Sequence, residues 1–152
     1  MPMPWGYRHA QKHFQSFIAD ARDGMDLASD NMTYTAVDGV FQTFRRRLTP
    51  RQVMAFADVL PELLRALFVH GYDPEARPLP FAPRAELVRE AQQVRRHHNL
   101  TPDTAIVATA RALRRHMRQM DLDRVLENIG PEAEAFWAVE VADPRELDQK
   151  II

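Results

Sequence analysis

The sequence has no cysteine, which excludes disulfide bonds, thiolate metal sites and cysteine nucleophiles. Its only serines are Ser16 and Ser29, and neither stands in the Gly-x-Ser-x-Gly motif of serine hydrolases. The five glycines are scattered, so no glycine-rich loop is available to cradle a phosphate. No uncharged apolar run approaches the about 18 residues of a membrane span, and the first residues do not resemble a signal peptide. These absences predict a cytoplasmic protein that does not enter a membrane, and they indicate neither an enzyme nor a cofactor.

The chain length, composition and net charge are those of one ordinary water-soluble domain. The chain has 152 residues, of which 45% are hydrophobic and 27% charged, and both fractions are close to the globular average. A chain of this length buries roughly 70% of its unfolded surface, which is enough for a core of its own. The formal net charge of -1 argues against a nucleic-acid binder, which needs a basic surplus to neutralise phosphates. We predict a single domain over residues 1–152 with no nucleic-acid partner.

One stretch of the sequence is repeated about half a chain length further on. Residues 35–68 match residues 104–137 at a constant shift of 69 positions, mostly apolar on apolar. The matched pairs include Val37 with Ile106, Phe44 with Leu113, Leu48 with Met117, Phe56 with Val125, Leu60 with Ile129 and Phe68 with Trp137. Two basic clusters also coincide, Arg45-Arg46-Arg47 and Arg114-Arg115-His116. Such a repeat predicts two related units that bury their apolar faces against each other.

Apolar residues recur every three or four positions, which is the period of a helix, and strict alternation is absent. In the first copy the pattern predicts a helix over residues 7–23, which Gly24 ends, and a second helix that Asn31 or Thr33 caps. Thr49, Pro50 and Gln52 form a capping box for a third helix. A fourth helix follows at residues 62–69. In the second copy we predict helices near residue 87 and over residues 102–118, 122–128 and 131–139.

The stretch between the copies is a proline-rich connector. Residues 71–83 contain four prolines, which exclude a regular helix, and the interleaved Tyr72, Leu79 and Phe81 predict packing on the body. The polar tail beyond residue 142 is expected to fray. We therefore predict an all-α fold, a single compact bundle of about eight helices built from two sequence-related four-helix halves at about residues 7–70 and 84–139.

Short motifs of the first copy resemble a known family. They are Arg47-Leu48-Thr49-Pro50, the run from Leu60 to Phe68 (LPELLRALF) and Gly71-Tyr72-Asp73-Pro74. Over roughly residues 14–138 the chain resembles the bacterial domain-of-unknown-function family 2267. The resemblance implies a compact helical protein with globin-like helix packing, and it brings no catalytic residues. The second copy departs from the first, with Gly130-Pro131-Glu132-Ala133-Glu134 in place of Leu60-Pro61-Glu62-Leu63-Leu64, so the halves need not share one role.

Histidines provide the weak metal candidates. His9 and His13 stand four residues apart on a predicted helix and could share a face that binds a metal, although exposed histidines on the helix surface are the favoured explanation. A haem ligand is a further hypothesis, because an all-α fold could present a histidine to the iron. Its candidates are His70, His97, His98 and His116, all of which are also explained by placement near the C-terminal end of a helix.

The paired basic clusters are candidates for an anion site. Because they occupy matching places in the two copies, Arg45, Arg46, Arg114 and Arg115 could together bind a phosphate or another anion. The structural alternative is that cations at helix C-termini complement the helix dipole. If the helices were duplicated, the arginines at their C-terminal ends were duplicated with them. The matching positions of the two clusters therefore do not by themselves require a ligand.

No motif requires catalysis, and a binding role is the main functional hypothesis. We predict a non-enzymatic helical interaction module that binds a protein partner or forms a homodimer through an apolar groove. Aromatic residues around Tyr72, Phe81 and Trp137 are the candidate anchors. The alternative is a small-ligand or cofactor-binding sensor in the bundle interior, and an unrecognised enzyme is the third hypothesis.

Overall fold

A computed structural model describes residues 1–95, 97 and 100–152. Within these residues the fold is all-α, as predicted, and no strand occurs. The described part of the chain forms nine α-helices, eight of them with at least seven residues, and one short 3-10 helix. The helices are α1 (Trp5–Arg8), α2 (Ala10–Met25), α3 (Asp30–Arg45), α4 (Pro50–Val59), α5 (Glu62–Val69), α6 (Arg84–Gln93), α7 (Ala105–Arg115), α8 (Gln119–Ile129) and α9 (Pro131–Trp137).

The start of α4 follows from its capping box. The Thr49 hydroxyl accepts from the backbone N–H of Gln52 at 3.2 Å, and the Gln52 side chain accepts from the backbone N–H of Thr49 at 2.9 Å. Pro50 occupies the first helical position, where its missing N–H is not needed. Local chemistry therefore fixes this boundary, and the predicted start is confirmed. The predicted fourth helix is also confirmed, because α5 spans Glu62–Val69.

Several other predicted boundaries are wrong. The first predicted helix is interrupted at His9, where α1 ends, and α2 then continues past Gly24 to Met25. Ser29 caps α3, since its hydroxyl accepts from the backbone N–H of Met32 at 3.2 Å. The cap therefore lies before the predicted positions Asn31 and Thr33. In the second half, α7 begins at Ala105, three residues after the predicted start.

Helices of the two halves pack directly on each other. Helix α2 packs against α7, α3 packs against α6 and α7, and α4 packs against α8. The contact between α3 and α6 is so close that a Cβ at Gly39 would lie 2.5 Å from the carbonyl oxygen of Ala91. Only glycine fits at that position without displacing backbone. Helices α2 and α3 of the first half thus lie against helices α7 and α6 of the second half.

Six aromatic rings occupy the centre of the bundle, with neighbouring ring centroids 4.8 to 6.1 Å apart. Four belong to the first half and two to the second: Phe41, Phe44, Phe56, Phe68, Phe136 and Trp137. All are at most 2% exposed. Contacts at these spacings contribute about 0.5 to 1.5 kcal/mol per pair beyond the burial of area. The rings form one core cluster that contains residues of both halves.

The connector and the C-terminal tail both form hydrogen bonds with the helical bundle. The backbone N–H of Leu79 donates to the carbonyl oxygen of Arg46 at 2.8 Å, and that of Lys150 donates to Arg115 at 2.7 Å. Tyr72 and Phe81 pack partly buried on the core, as predicted, whereas Leu79 is 47% exposed. The tail forms a 3-10 helix whose Leu147 is buried, so the expectation that it frays is wrong.

None of the helices in the described ranges is both long and apolar enough to cross a bilayer. The longest, α2 and α3, have 16 residues each and carry charged side chains. This agrees with the prediction of a chain that does not span a membrane.

Candidate functional site

The predicted anion ligand Arg45 bonds to the end of another helix. Its Nη1 donates to the carbonyl oxygens of Phe68 at 2.9 Å and His70 at 2.8 Å, where α5 ends. These carbonyls have no partner within their own helix, so the guanidinium satisfies groups that a helix end leaves free. The guanidinium also lies 5.5 Å from the centre of the Tyr72 ring. Burial lowers the pKa of Arg45 below its ordinary value, but arginine stays charged in proteins.

Arg46 and Arg47 share one carboxylate of the second half. Arg46 Nη1 lies 3.2 Å from Glu90 Oε2, and Arg47 Nη2 lies 3.1 Å from Glu90 Oε1. The Arg47 side chain is only 5% exposed, so its charge requires this nearby compensation. Arg46 is 42% exposed and keeps donors free on its solvent side. The end of α3 is thereby fixed to α6.

Arg114, which corresponds to Arg45 in the second cluster, is buried and bonded through two of its three nitrogens. Its Nε donates to the carbonyl oxygen of Trp137 at 2.9 Å, at the end of α9, and its Nη1 donates to Asp123 at 2.9 Å. Its neighbour Arg115 forms an ion pair at 2.5 Å with Asp20, a carboxylate that is 8% exposed. Both side chains are therefore occupied by groups of the protein itself.

The four arginine candidates consequently differ in what they offer a ligand. Arg45 and Arg46 line one surface cleft, together with Tyr72 and Arg77 from the connector. Arg114 and Arg115 lie outside the lining of that cleft. The structure thus brings together the first two candidates and not all four.

His116 links the halves through a buried hydrogen-bond chain. Its Nδ1 lies 2.8 Å from the carbonyl oxygen of Ala112, which only accepts, so Nδ1 carries the proton. Nε2 is then an acceptor, and the Ser16 hydroxyl donates to it at 3.0 Å. Asp20 Oδ2 lies 3.7 Å from Nδ1, beyond hydrogen-bond distance. The arrangement places a base beside a hydroxyl, but His116 is 0% exposed, which favours a structural link over catalysis.

His116 gives the protein a predicted pH dependence. Burial lowers its pKa below the ordinary 6.5, which outweighs the opposing effects of the Ala112 carbonyl and Asp20; His13 and Lys150 lower it further. Between the lowered and the ordinary pKa the unfolded chain binds a proton that the folded chain does not, so stability falls as pH drops. We expect the urea midpoint to decrease from about pH 7 to about pH 5, and His116→Gln to flatten that decrease. The same substitution at the exposed His70 is the control. If the urea midpoint of His116→Gln fell with pH as steeply as that of the wild type, His116 would not be the source of the pH dependence.

The candidate metal ligands lie at the junction of α1 and α2. The His9 ring is tilted against Trp5 with centroids 4.5 Å apart, and the His13 ring lies 5.9 Å from that of His116. Within the described residues no group of three potential His, Asp or Glu ligands comes together. Stacking on Trp5 thus accounts for His9 without a metal.

The haem candidates that the structure describes are dispersed. His70 and His97 are exposed, and His98 lies outside the described residues. His116 is 0% exposed, and both of its ring nitrogens already have partners. The structure therefore does not bring His70, His97 and His116 to one pocket.

A cleft of about 470 Å³ lies between α1, the start of α5 and the start of α8. Trp5 lines it and is 52% exposed. Three acidic and three arginine side chains line it as well: Asp58, Glu62, Asp121, Arg65, Arg118 and Arg124. We call this cleft and the exposed side chains of α1 the N-terminal face. It combines half-exposed aromatic surface with charges of both signs.

The exposed aromatic residues are not the predicted anchors. Trp137 is 0% exposed and belongs to the core, whereas Trp5 and Tyr7 on α1 are 52% and 57% exposed. Helix α1 has four residues and buries none of them. Sequence reasoning missed it because one turn shows no helical period. The available signal was a pair of aromatic residues, Trp5 and Tyr7, directly after Pro4.

A protein-family model described as "Uncharacterized conserved protein (DUF2267)" matches residues 14–136. The matched range runs from within α2 to α9 and does not include α1. No curated protein matches the chain.

Proposed function

We propose, starting from the membership of this chain in the DUF2267 family of uncharacterized conserved proteins, that it is a non-enzymatic helical interaction module that pairs with a second copy of itself through the N-terminal face. The exposure of Trp5 beside a cleft with balanced charge is the main support.

Exposed aromatic surface on the N-terminal face supports a binding role. Trp5 and Tyr7 are each more than half exposed. Large aromatic side chains supply much of the free energy of protein association when a partner excludes water from them. Since α1 buries no residue in the single chain, its rings remain available for such a contact.

The charges of the cleft favour a second copy as the partner. A symmetric dimer brings the same patch together from both subunits, so a patch of one sign would repel itself. This cleft has three carboxylates and three guanidiniums, so two copies can meet there without net repulsion. Within one copy, Arg124 already pairs with Asp121 at 2.8 Å. The balance therefore fits a self-complementary interface better than a strongly charged foreign partner.

Self-association is tested by sedimentation velocity over a roughly hundred-fold range of protein concentration. We expect the wild type to shift from monomer to dimer as concentration rises. Trp5→Ala should weaken the dimer about tenfold or more, because truncated aromatic anchors commonly cost over 1 kcal/mol. Tyr34→Ala is the matched control, because Tyr34 is 43% exposed on α3 and does not line the cleft.

A wild type that stays monomeric over the whole range would contradict the proposed homodimer. Equal weakening by Trp5→Ala and Tyr34→Ala would place the contact elsewhere. Added salt should weaken the dimer, since exposed ion pairs are screened.

The other functional hypotheses have less support. The six core rings are packed at contact distances in the middle of the bundle, so a sensor in the interior would have to displace them. An enzyme using Ser16 and His116 would need access to a histidine that is enclosed. The lack of cysteine supports a cytoplasmic location.

We further infer that the two halves arose by duplication. Arg45 and Arg114 are 69 positions apart. Each bonds to a carbonyl oxygen 23 positions later, at the end of the last helix of its own half, α5 or α9. Arg46 pairs with Glu90 on α6, and Arg115 pairs with Asp20 on α2. The packing of α2 on α7 is likewise matched by that of α6 on α3. Shared ancestry accounts for these matches, while globin-like packing stays a prediction.

A further inference from the structure

The cleft beside the first arginine cluster is large enough for a small molecule. It has a volume of about 340 Å³ and lies where the end of α3 meets the connector. Pockets for small ligands commonly begin at about 300 Å³. We propose that this cleft, the arginine cleft, binds a small organic anion, namely a carboxylate or phosphate monoester that carries one ring or a short apolar chain.

The lining of the arginine cleft is electropositive. Arg45, Arg46 and Arg77 line it against a single acid, Asp73, which leaves two surplus positive charges. Asp73 Oδ1 already accepts from the backbone N–H of Glu75 at 2.9 Å. A carboxylate or phosphate would therefore meet net positive charge and guanidinium donors with the planar geometry that suits its oxygens.

The guanidiniums of the cleft are unequally engaged. Arg45 is held in place by two carbonyl oxygens through Nη1 alone. Arg46 uses one nitrogen toward Glu90 and is 42% exposed. Arg77 is exposed, and no hydrogen bond or ion pair joins it to another of the described residues. The cleft thus has one preorganised cation and two with donors left for a ligand.

The rest of the lining is apolar apart from one hydroxyl. Leu48 and Leu79 line the cleft, and Leu79 is 47% exposed, so its side chain can cover an apolar ligand group. Tyr72 lines the same cleft, and its buried hydroxyl has no hydrogen-bond partner among the described residues. A buried hydroxyl without a partner is destabilising, and a ligand oxygen that reached it from the cleft would provide the missing acceptor. These features favour an organic anion over a simple inorganic one.

This inference does not depend on the proposed self-association. The arginine cleft and the N-terminal face share no lining residue. Either proposal can therefore fail while the other stands.

Isothermal titration calorimetry with phenyl phosphate, benzoate and inorganic phosphate tests the arginine cleft. We expect phenyl phosphate or benzoate to bind the wild type more tightly than inorganic phosphate. Arg77→Gln should weaken that binding about tenfold, because it removes a charged donor without breaking an internal contact. Arg89→Gln is the matched control, because Arg89 is exposed on α6 and does not line the cleft. Tyr72→Phe should also weaken binding.

Three results would overturn the proposal. One is the absence of heat from phenyl phosphate and benzoate at millimolar concentration. Another is inorganic phosphate binding as tightly as phenyl phosphate. The third is equal weakening by Arg77→Gln and Arg89→Gln, which would indicate unspecific charge attraction. Circular dichroism of each variant verifies that the fold is retained.

Discussion

Replacing Arg115 with alanine is expected to destabilise the protein by about 3 kcal/mol, because breaking a buried ion pair leaves the other charge without compensation. Arg115 Nη1 lies 2.5 Å from Asp20, whose side chain is 8% exposed. The second oxygen of Asp20 has no hydrogen-bond partner within the described residues, and His116 Nδ1 is already used by Ala112. No other donor among the described residues bonds to Asp20 in place of the arginine. Urea denaturation followed by far-UV circular dichroism measures the loss.

The control for this variant is Arg118→Ala. Arg118 stands three residues further along, is 71% exposed and lies 3.9 Å from Asp121. Exposed pairs of this kind contribute about 0 to 1 kcal/mol, so its removal should change little. Adding Asp20→Asn to Arg115→Ala should restore part of the stability, since the uncompensated charge is then gone. A loss in Arg115→Ala no larger than in Arg118→Ala would refute the structural role of the pair.

The helix boundaries could be predicted from the sequence where neighbouring residues alone determine them. Thr49, Pro50 and Gln52 lie within four positions and specify the start of α4 by their own hydrogen bonds. The apolar spacing likewise predicted α5 at its observed bounds. Such features need only neighbouring residues, so no knowledge of the tertiary fold is required.

Contacts between distant residues could not be predicted in this way. Ser16 and His116 are 100 positions apart, and Asp20 and Arg115 are 95 apart. The sequence indicated that arginines at helix ends complement the dipole of their own helix. In the structure Arg45 and Arg114 instead bond to the ends of α5 and α9. The choice of acceptor depends on helix packing, which periodicity alone does not specify.

Replacing Trp137 with alanine is expected to cost about 4 kcal/mol, the scale of a large-to-small substitution in a packed core. Trp137 is 0% exposed, and its ring lies within 6.1 Å of those of Phe41, Phe44 and Phe56. Tyr34→Ala is the control, because Tyr34 is 43% exposed and its truncation should change stability by less than about 1 kcal/mol. Urea denaturation compares the two variants. Similar losses would contradict the different burial of the two rings.

Both halves of the chain share one core, and we expect them to unfold together. Trp137 lies on α9 in the second half, while its aromatic neighbours on α3 and α4 belong to the first half. Native-state hydrogen exchange of Trp137→Ala distinguishes joint from separate unfolding. If the halves unfold together, the slowest amides of α4 and α8 lose the same opening free energy, about 4 kcal/mol. Wild-type protection in α4 together with lost protection in α8 would contradict joint unfolding.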